Sequence, residues 1–192
     1  MDSQALVQLA SLLSDGDPAV VAHMAGELDE SESYELAECL QDTEHLVHVD
    51  WKAPSDDTLM QLNLLSGDKL SAGASYARLL AQYQETNCAI AQHLDEPLPT
   101  AELLDVTRTA GFELESLDLG SDSYALILIP TAQLDTAYGL ADACDVAFYF
   151  RWRRTVVARE QAAATAPPPP SPSPGAPGAP SSRRWWKRKR QP

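Results

Sequence analysis

Tyr124 to Ile129 reads YALILI, an unbroken apolar run that Pro130 ends. A run this short fits a strand covered on both faces, and so a central strand of its sheet. Just upstream, Gly120-Ser121-Asp122-Ser123 supplies turn residues, and before them lies a second apolar segment from Phe112 to Leu119. Together they predict a hairpin over 112–130. Within the first arm the pattern changes parity. Phe112 and Leu114 share one face and Leu117 and Leu119 the other, which predicts a bulge or a strand covered differently at its two ends.

Two more elements complete this unit. Thr131 is placed to cap a helix that carries Leu134, Tyr138 and Ala141 at i, i+4, i+7. Val146, Phe148, Phe150 and Trp152 then alternate with Ala147, Tyr149 and Arg151, which predicts a strand over 145–152.

The N-terminal half has helical spacing. Leu6, Leu9, Ala10 and Leu13 form one stripe, stopped by Asp15-Gly16-Asp17-Pro18. A second helix is expected over Ala19–Leu28. A third starts at a Ser31 cap, with Leu36, Ala37 and Leu40 inward and Glu32, Glu35, Glu38 and Asp42 on its other side. His45–Trp51 reads as a short strand. Ser55 is the expected cap of a helix with Asp56 and Asp57 in its first turn, Leu59, Leu62 and Leu65 inward, and Gly67 past its end. Tyr76, Leu79, Leu80 and Tyr83 give a further helix, residues 86–94 read equally as helix or strand, and Asp95–Pro99 is a break. Thr100 caps a helix bearing Leu103, Leu104, Thr107 and Ala110, which Gly111 ends. The expected class is α+β, with a helix-rich N-terminal half and a small, mainly antiparallel sheet built from hairpin 112–130 and strands 45–51 and 145–152. From residue 45 the order condenses to βαββαβ, the ferredoxin-like order, with an unusually long first crossover.

Charge is segregated along the chain. Residues 1–164 hold all 28 acidic residues against 8 Lys and Arg, a net of −20, and residues 165–192 hold 6 Lys and Arg and no acid, a net of +6. The organisation expected is one acidic domain over 1–164, a Pro-rich linker over 165–182 (TAPPPPSPSPGAPGAPSS) and a basic tail over 183–192. No stretch approaches the roughly 18 apolar residues of a membrane span. The N-terminus lacks a basic leader, so a cytoplasmic protein is expected, with peripheral membrane attachment as an alternative. Cys39, Cys88 and Cys144 are far apart and in apolar contexts, and read as reduced core thiols.

Little in the chain points to catalysis. Neither GxGxxG nor GxxxxGK[ST] occurs. His45 and His48, three apart on a predicted strand, point to opposite faces, so no metal site and no cofactor are expected. Asp118, Asp122, Ser121 and Ser123 could form a catalytic or cation-binding turn, but such residues also bond local backbone in tight turns, and Asp122 is assigned that role. An unrecognised enzyme with its pocket near Asp118 and Asp122 is the alternative.

Two surfaces remain. Glu32, Glu35, Glu38 and Asp42 suggest a docking face for a basic protein partner, because no Lys or Arg precedes Lys52. Arg183, Arg184, Lys187, Arg188, Lys189 and Arg190 surround Trp185 and Trp186, a cluster suited to an anionic membrane surface or to nucleic acid. The expected function is a non-catalytic protein-binding domain with a tethered basic tail.

DWKA at 50–53, SYARLLAQY at 75–83 and GFELESLDLGSDSYALILIP at 111–130 resemble a family of uncharacterised bacterial domains of unknown function, over roughly residues 1–152. The resemblance implies no catalytic residue, and the arm and tail lie outside it. In general character such small acidic α+β proteins are similar to immunity proteins that neutralise toxins, an analogy of class alone.

Overall fold

The computed structural model of the chain describes residues 2–26, 32–94 and 98–165. Helices α1 (Ser3–Leu13), α2 (Pro18–Met24) and α3 (Glu32–Asp42) lead to strand β1 (Val47–Asp50). Helices α4 (Ser55–Leu65), α5 (Ala74–Thr86), α6 (Ala91–Leu94) and α7 (Ala101–Thr109) follow. The hairpin strands β2 (Phe112–Leu117) and β3 (Ser123–Pro130) come next, and helices α8 (Leu134–Cys144) and α9 (Tyr149–Thr165) finish the described chain. The architecture is α+β.

The YALILI run is the middle of the sheet. β3 pairs antiparallel with β1 on one side and β2 on the other, in the order β1-β3-β2. Its two faces bury different sets of residues. Ala125, Ile127 and Ile129 meet Leu6, Leu9 and Ala10 of α1 and Ala137, Ala141 and Cys144 of α8. Tyr124 and Leu126, with Val47 and Val49 of β1, meet Leu59 and Leu62 of α4, Leu79 and Tyr83 of α5, and Leu103 and Val106 of α7. Helices cover both faces, which is why β3 has no polar side to alternate.

Local chemistry explains several element ends. The Asp2 carboxylate accepts from the backbone N–H groups of Gln4 and Ala5, and Asp17 accepts from that of Ala19 with Pro18 at the first helical position. Gly111 has φ +88 between α7 and β2, a left-handed backbone that admits glycine with little strain. Asn87 (φ 44) ends α5 in the same region and resolves the ambiguous stretch 86–94 into a helix end, a loop and the short α6.

Several sequence expectations need correction. β2 carries no bulge, since pairing runs unbroken from Phe112↔Pro130 to Leu117↔Ala125. The parity change arises because Glu113 and Glu115 share the face of Leu117 and are buried there. Ser55 is not a cap: it is the first residue of α4, and its hydroxyl donates to the Cys88 carbonyl at 2.8 Å. Thr131 begins a short 3-10 turn before α8, where no side chain caps the helix. The Ser31 cap lies outside the described residues.

The largest correction is the strand over 145–152. Only Phe148 bridges to β2, opposite Leu117, with the Asp118 N–H donating to the Ala147 carbonyl at 2.9 Å, and α9 begins at Tyr149. The alternation is real but has another cause. Val146 and Phe148 enter the core with α1 and α8, whereas Phe150 enters the core on the opposite face. The segment crosses the edge of the sheet instead of extending it. A ferredoxin-like order would need a fourth strand here, where the chain is helical.

Candidate functional site

β1 ends at Asp50, the β2–β3 connection spans 118–122 and α9 starts at Tyr149. These three points meet at one end of the sheet and enclose a cleft of about 430 Å³. Its walls include Trp51, Tyr124 and Tyr149, and its polar lining comes from Asp118, Asp122, Ser121 and Ser123. The volume falls within the range of small-ligand and side-chain pockets.

The turn is built by Asp118 and Ser121, not by Asp122. The Asp118 carboxylate accepts from the Gly120 N–H at 3.0 Å, and the Ser121 hydroxyl accepts from the Ser123 N–H at 3.3 Å. Gly120 takes φ +62 to make that possible. Asp122 is exposed and makes no hydrogen bond or ion pair with the described residues. The local-backbone role therefore belongs to its neighbours, and the Asp122 carboxylate stands open to the cleft.

The aromatic side of the cleft is partly bare. Trp51 is 44% exposed, and Trp152, one turn along α9 from Tyr149 with ring centroids 6.1 Å apart, is 54% exposed. Lys52 already places its ammonium 4.5 Å over the Trp51 ring, so this indole face accepts a cation. The cleft lining itself has two carboxylates and no Lys, Arg, His or Cys. Chemically it suits a positively charged group held between acid and aromatic faces.

A second set of charges centres on two buried carboxylates, Glu113 and Glu115. Glu115 is fully buried and accepts from the Tyr138 hydroxyl at 2.5 Å, the Arg151 N–H at 3.2 Å and the Arg154 guanidinium. Glu113 receives Arg108 through Nε at 2.9 Å and Nη2 at 2.8 Å, and Arg154 through Nη1 at 3.2 Å. Burial pushes the Glu115 carboxyl above its ordinary value, with Arg154, Tyr138 and the Arg151 N–H opposing it. Burial and Glu115 together hold the Tyr138 phenol well above its usual range. This network joins α7, β2, α8 and α9 and contributes no residue to the lining of the cleft, and its evident work is to tie these elements together.

The acidic face expected on α3 divides. Glu38 and Asp42 are exposed, but Glu35 turns inward, 8% exposed, with its carboxylate 3.0 Å from His23 Nε2. Glu32 begins the helix. His45 lies 3.5 Å from Asp17 while His48 is exposed, so the two are not brought together. Among the described residues no three His, Cys, Asp or Glu side chains gather as metal ligands. The thiols are less alike than expected: Cys144 is core, but Cys39 and Cys88 are only partly buried. The Pro-rich arm and the basic cluster Arg183–Arg190 lie outside the described residues.

A family model described as a domain of unknown function, DUF6630, matches residues 5–151. The chain belongs to this family. No curated protein and no solved structure matches it. The DUF6630 match spans both helical layers, the whole sheet and every residue of the cleft from Trp51 to Tyr149. It leaves out most of α9, the arm and the tail. No described helix is long and apolar enough to cross a membrane. Asp118 and Asp122 are legible in the sequence as turn residues, but the walls are not, since Trp51 and Tyr149 are about a hundred positions apart and neither carries a motif.

Proposed function

We propose that this DUF6630 domain is a non-catalytic protein-binding module whose cleft receives a lysine or arginine side chain from a basic partner. One observation carries the reading: an open carboxylate, Asp122, shares a cleft with Asp118, Trp51 and Tyr149, and among the described residues no Lys, Arg or His lines it. A net charge of −20 over residues 1–164 draws a basic partner toward it. Glu38 and Asp42 on α3 add to that field at a distance. The lining serines bond backbone groups where they bond at all, and among the described residues none is hydrogen-bonded to a carboxylate, which favours binding over turnover.

Calorimetric titration of the full chain with an arginine-rich peptide and a glutamate-rich peptide tests this. Binding of the first alone is expected, weakening as salt rises. Asp118→Asn with Asp122→Asn should abolish it, because asparagine keeps the acceptor oxygen the turn needs but not the charge. Undiminished binding by that double variant would reject the cleft. Loss on Glu38→Lys with Asp42→Lys alone would move the site to α3.

A second reading rests on the segregation of charge. The tail, with Trp185 and Trp186 among six Lys and Arg, would attach the domain to an anionic lipid surface. Vesicle co-sedimentation that survives deletion of residues 183–192 would exclude it, and single-stranded nucleic acid outcompeting the vesicles would redirect it.

A further inference from the structure

The loop after α5 holds a second chemical group, remote in character from the cleft. Asn87 turns the chain back along the start of α4, and Ala89 bridges to Pro54. The Ser55 N–H and hydroxyl both donate to the Cys88 carbonyl, at 3.1 and 2.8 Å, and the Ile90 N–H donates to the Ala53 carbonyl at 2.8 Å. Cys88 is therefore fixed by backbone on both sides. α6 then returns His93 so that its Nε2 lies 3.0 Å from Cys88 Sγ.

The imidazole is as firmly held as the thiol. Its ring rests on Tyr83, centroids 4.2 Å apart, and Tyr83 is fully buried. The His93 N–H donates to the Ile90 carbonyl at 2.8 Å and its carbonyl accepts from the Thr100 N–H at 2.7 Å. Burial holds His93 below its ordinary value, with Glu102 opposing, so the ring is neutral at neutral pH and offers a lone pair. Two hydroxyls also approach the sulfur, Thr86 at 3.3 Å and Ser55 at 3.5 Å. Their protons have better acceptors in the carbonyls of Gln82, at 2.9 Å, and Cys88. The thiol proton is left to point at His93.

The other two cysteines lack this arrangement. Cys144 is fully buried with its thiol directed at the Ala141 carbonyl, 3.7 Å away. Cys39 is pushed up by burial and by Asp42, Asp17, Glu35 and Glu38 around it, which keeps it protonated. Cys88, partly exposed and beside a base, differs from both.

We propose that Cys88 and His93 form a thiol–imidazole pair that makes Cys88 a modification site for small disulfides. His93 Nε2 takes the thiol proton, and the sulfur electron pair attacks one sulfur of the disulfide. The S–S bond breaks, the departing thiolate recovers the proton from His93, and a mixed disulfide on Cys88 and one free thiol result. The exchange is reversed by any small thiol. The exchange uses neither of the cleft carboxylates, Asp118 and Asp122.

Ellman's disulfide, with peptide mapping of the adduct, tests the pair on the full chain. Cys88 should label first, at least about tenfold faster than Cys39, with Cys144 labelled only on unfolding. His93→Gln should slow labelling of Cys88 about tenfold at neutral pH and leave the rate at Cys39 unchanged. Labelling of Cys88 no faster than Cys39, or a His93→Gln protein that labels at an unchanged rate, overturns the proposal. Should His93→Gln fail to fold, the wild-type rates decide alone: Cys88 labelled no faster than Cys39 rejects the pair.

Discussion

Arg154 of α9 closes its guanidinium on the fully buried carboxylate of Glu115 in β2, 39 positions earlier in the chain. The same guanidinium touches Tyr138 at 2.6 Å and Glu113 at 3.2 Å, so one side chain ties the last helix to the sheet and to α8. Removing it strands a buried charge. Arg154→Ala is expected to cost about 3–5 kcal/mol in denaturant titration, the range for breaking a buried ion pair. A loss under about 1 kcal/mol would mean Glu115 finds water or another partner.

Glu115 also sets a pH dependence. Its folded value is raised above 4.5, so its contribution is fully present below about pH 4.5 and is lost as pH rises through the folded value. Glu115→Gln cannot ionise and lacks this dependence. The stability of wild type relative to Glu115→Gln should therefore shift in favour of wild type as pH is lowered from 7 toward 4.5. A constant difference over that range would show that burial does not raise this carboxyl.

Asp142 behaves in the opposite sense. The Arg151 guanidinium, hydrogen-bonded to it at 2.6 and 2.8 Å, holds its carboxyl below the ordinary 3.8. The pair contributes above pH 3.8 and is lost as pH falls through the folded value. Asp142 is exposed, so the contribution is screened and Asp142→Asn should cost only about 0.2–1 kcal/mol at neutral pH. That difference should close in thermal melts as pH falls below 3.8.

On α3, charge reversal should separate two glutamates of one sequence pattern. Glu35→Lys places a cation in a buried site beside His23 and should cost about 3 kcal/mol or more. Glu38→Lys on the exposed side should change stability by less than about 0.5 kcal/mol. Equal melting temperatures for the two variants would contradict the inward turn of Glu35.

Phe148 is core although it lies in no regular strand, 3% exposed and 5.7 Å from the Tyr138 ring. Phe148→Ala should cost about 3–5 kcal/mol, a large share of the stability of a domain this size. Urea unfolding with an unchanged midpoint would show that the crossing segment is not packed.

Local pattern carried much of the fold. The YALILI run and its turn gave β3 and the hairpin, and the stripe Tyr76, Leu79, Tyr83 gave α5, because strand and helix periods are properties of consecutive residues. The same logic failed at Val146–Trp152. Alternation there records a chain passing from one core to the other, and an isolated strand would write the same letters.

What the sequence determined by itself is therefore the central strand, its hairpin, most helices, the acidic body and the turn residues at one end. Only the tertiary structure decided which polar groups go inside. Glu113 and Glu115 look like the wet side of a strand until Arg108, Arg154 and Tyr138 arrive to solvate them. Cys88 and His93 become a pair only when α6 folds back, and Asp122 faces a cleft only when Trp51 and Tyr149 form its walls. The physical reason is common to all three. A polar or charged group is stable in the interior, and gains chemical character at a surface, through partners, and those partners come from anywhere in the chain.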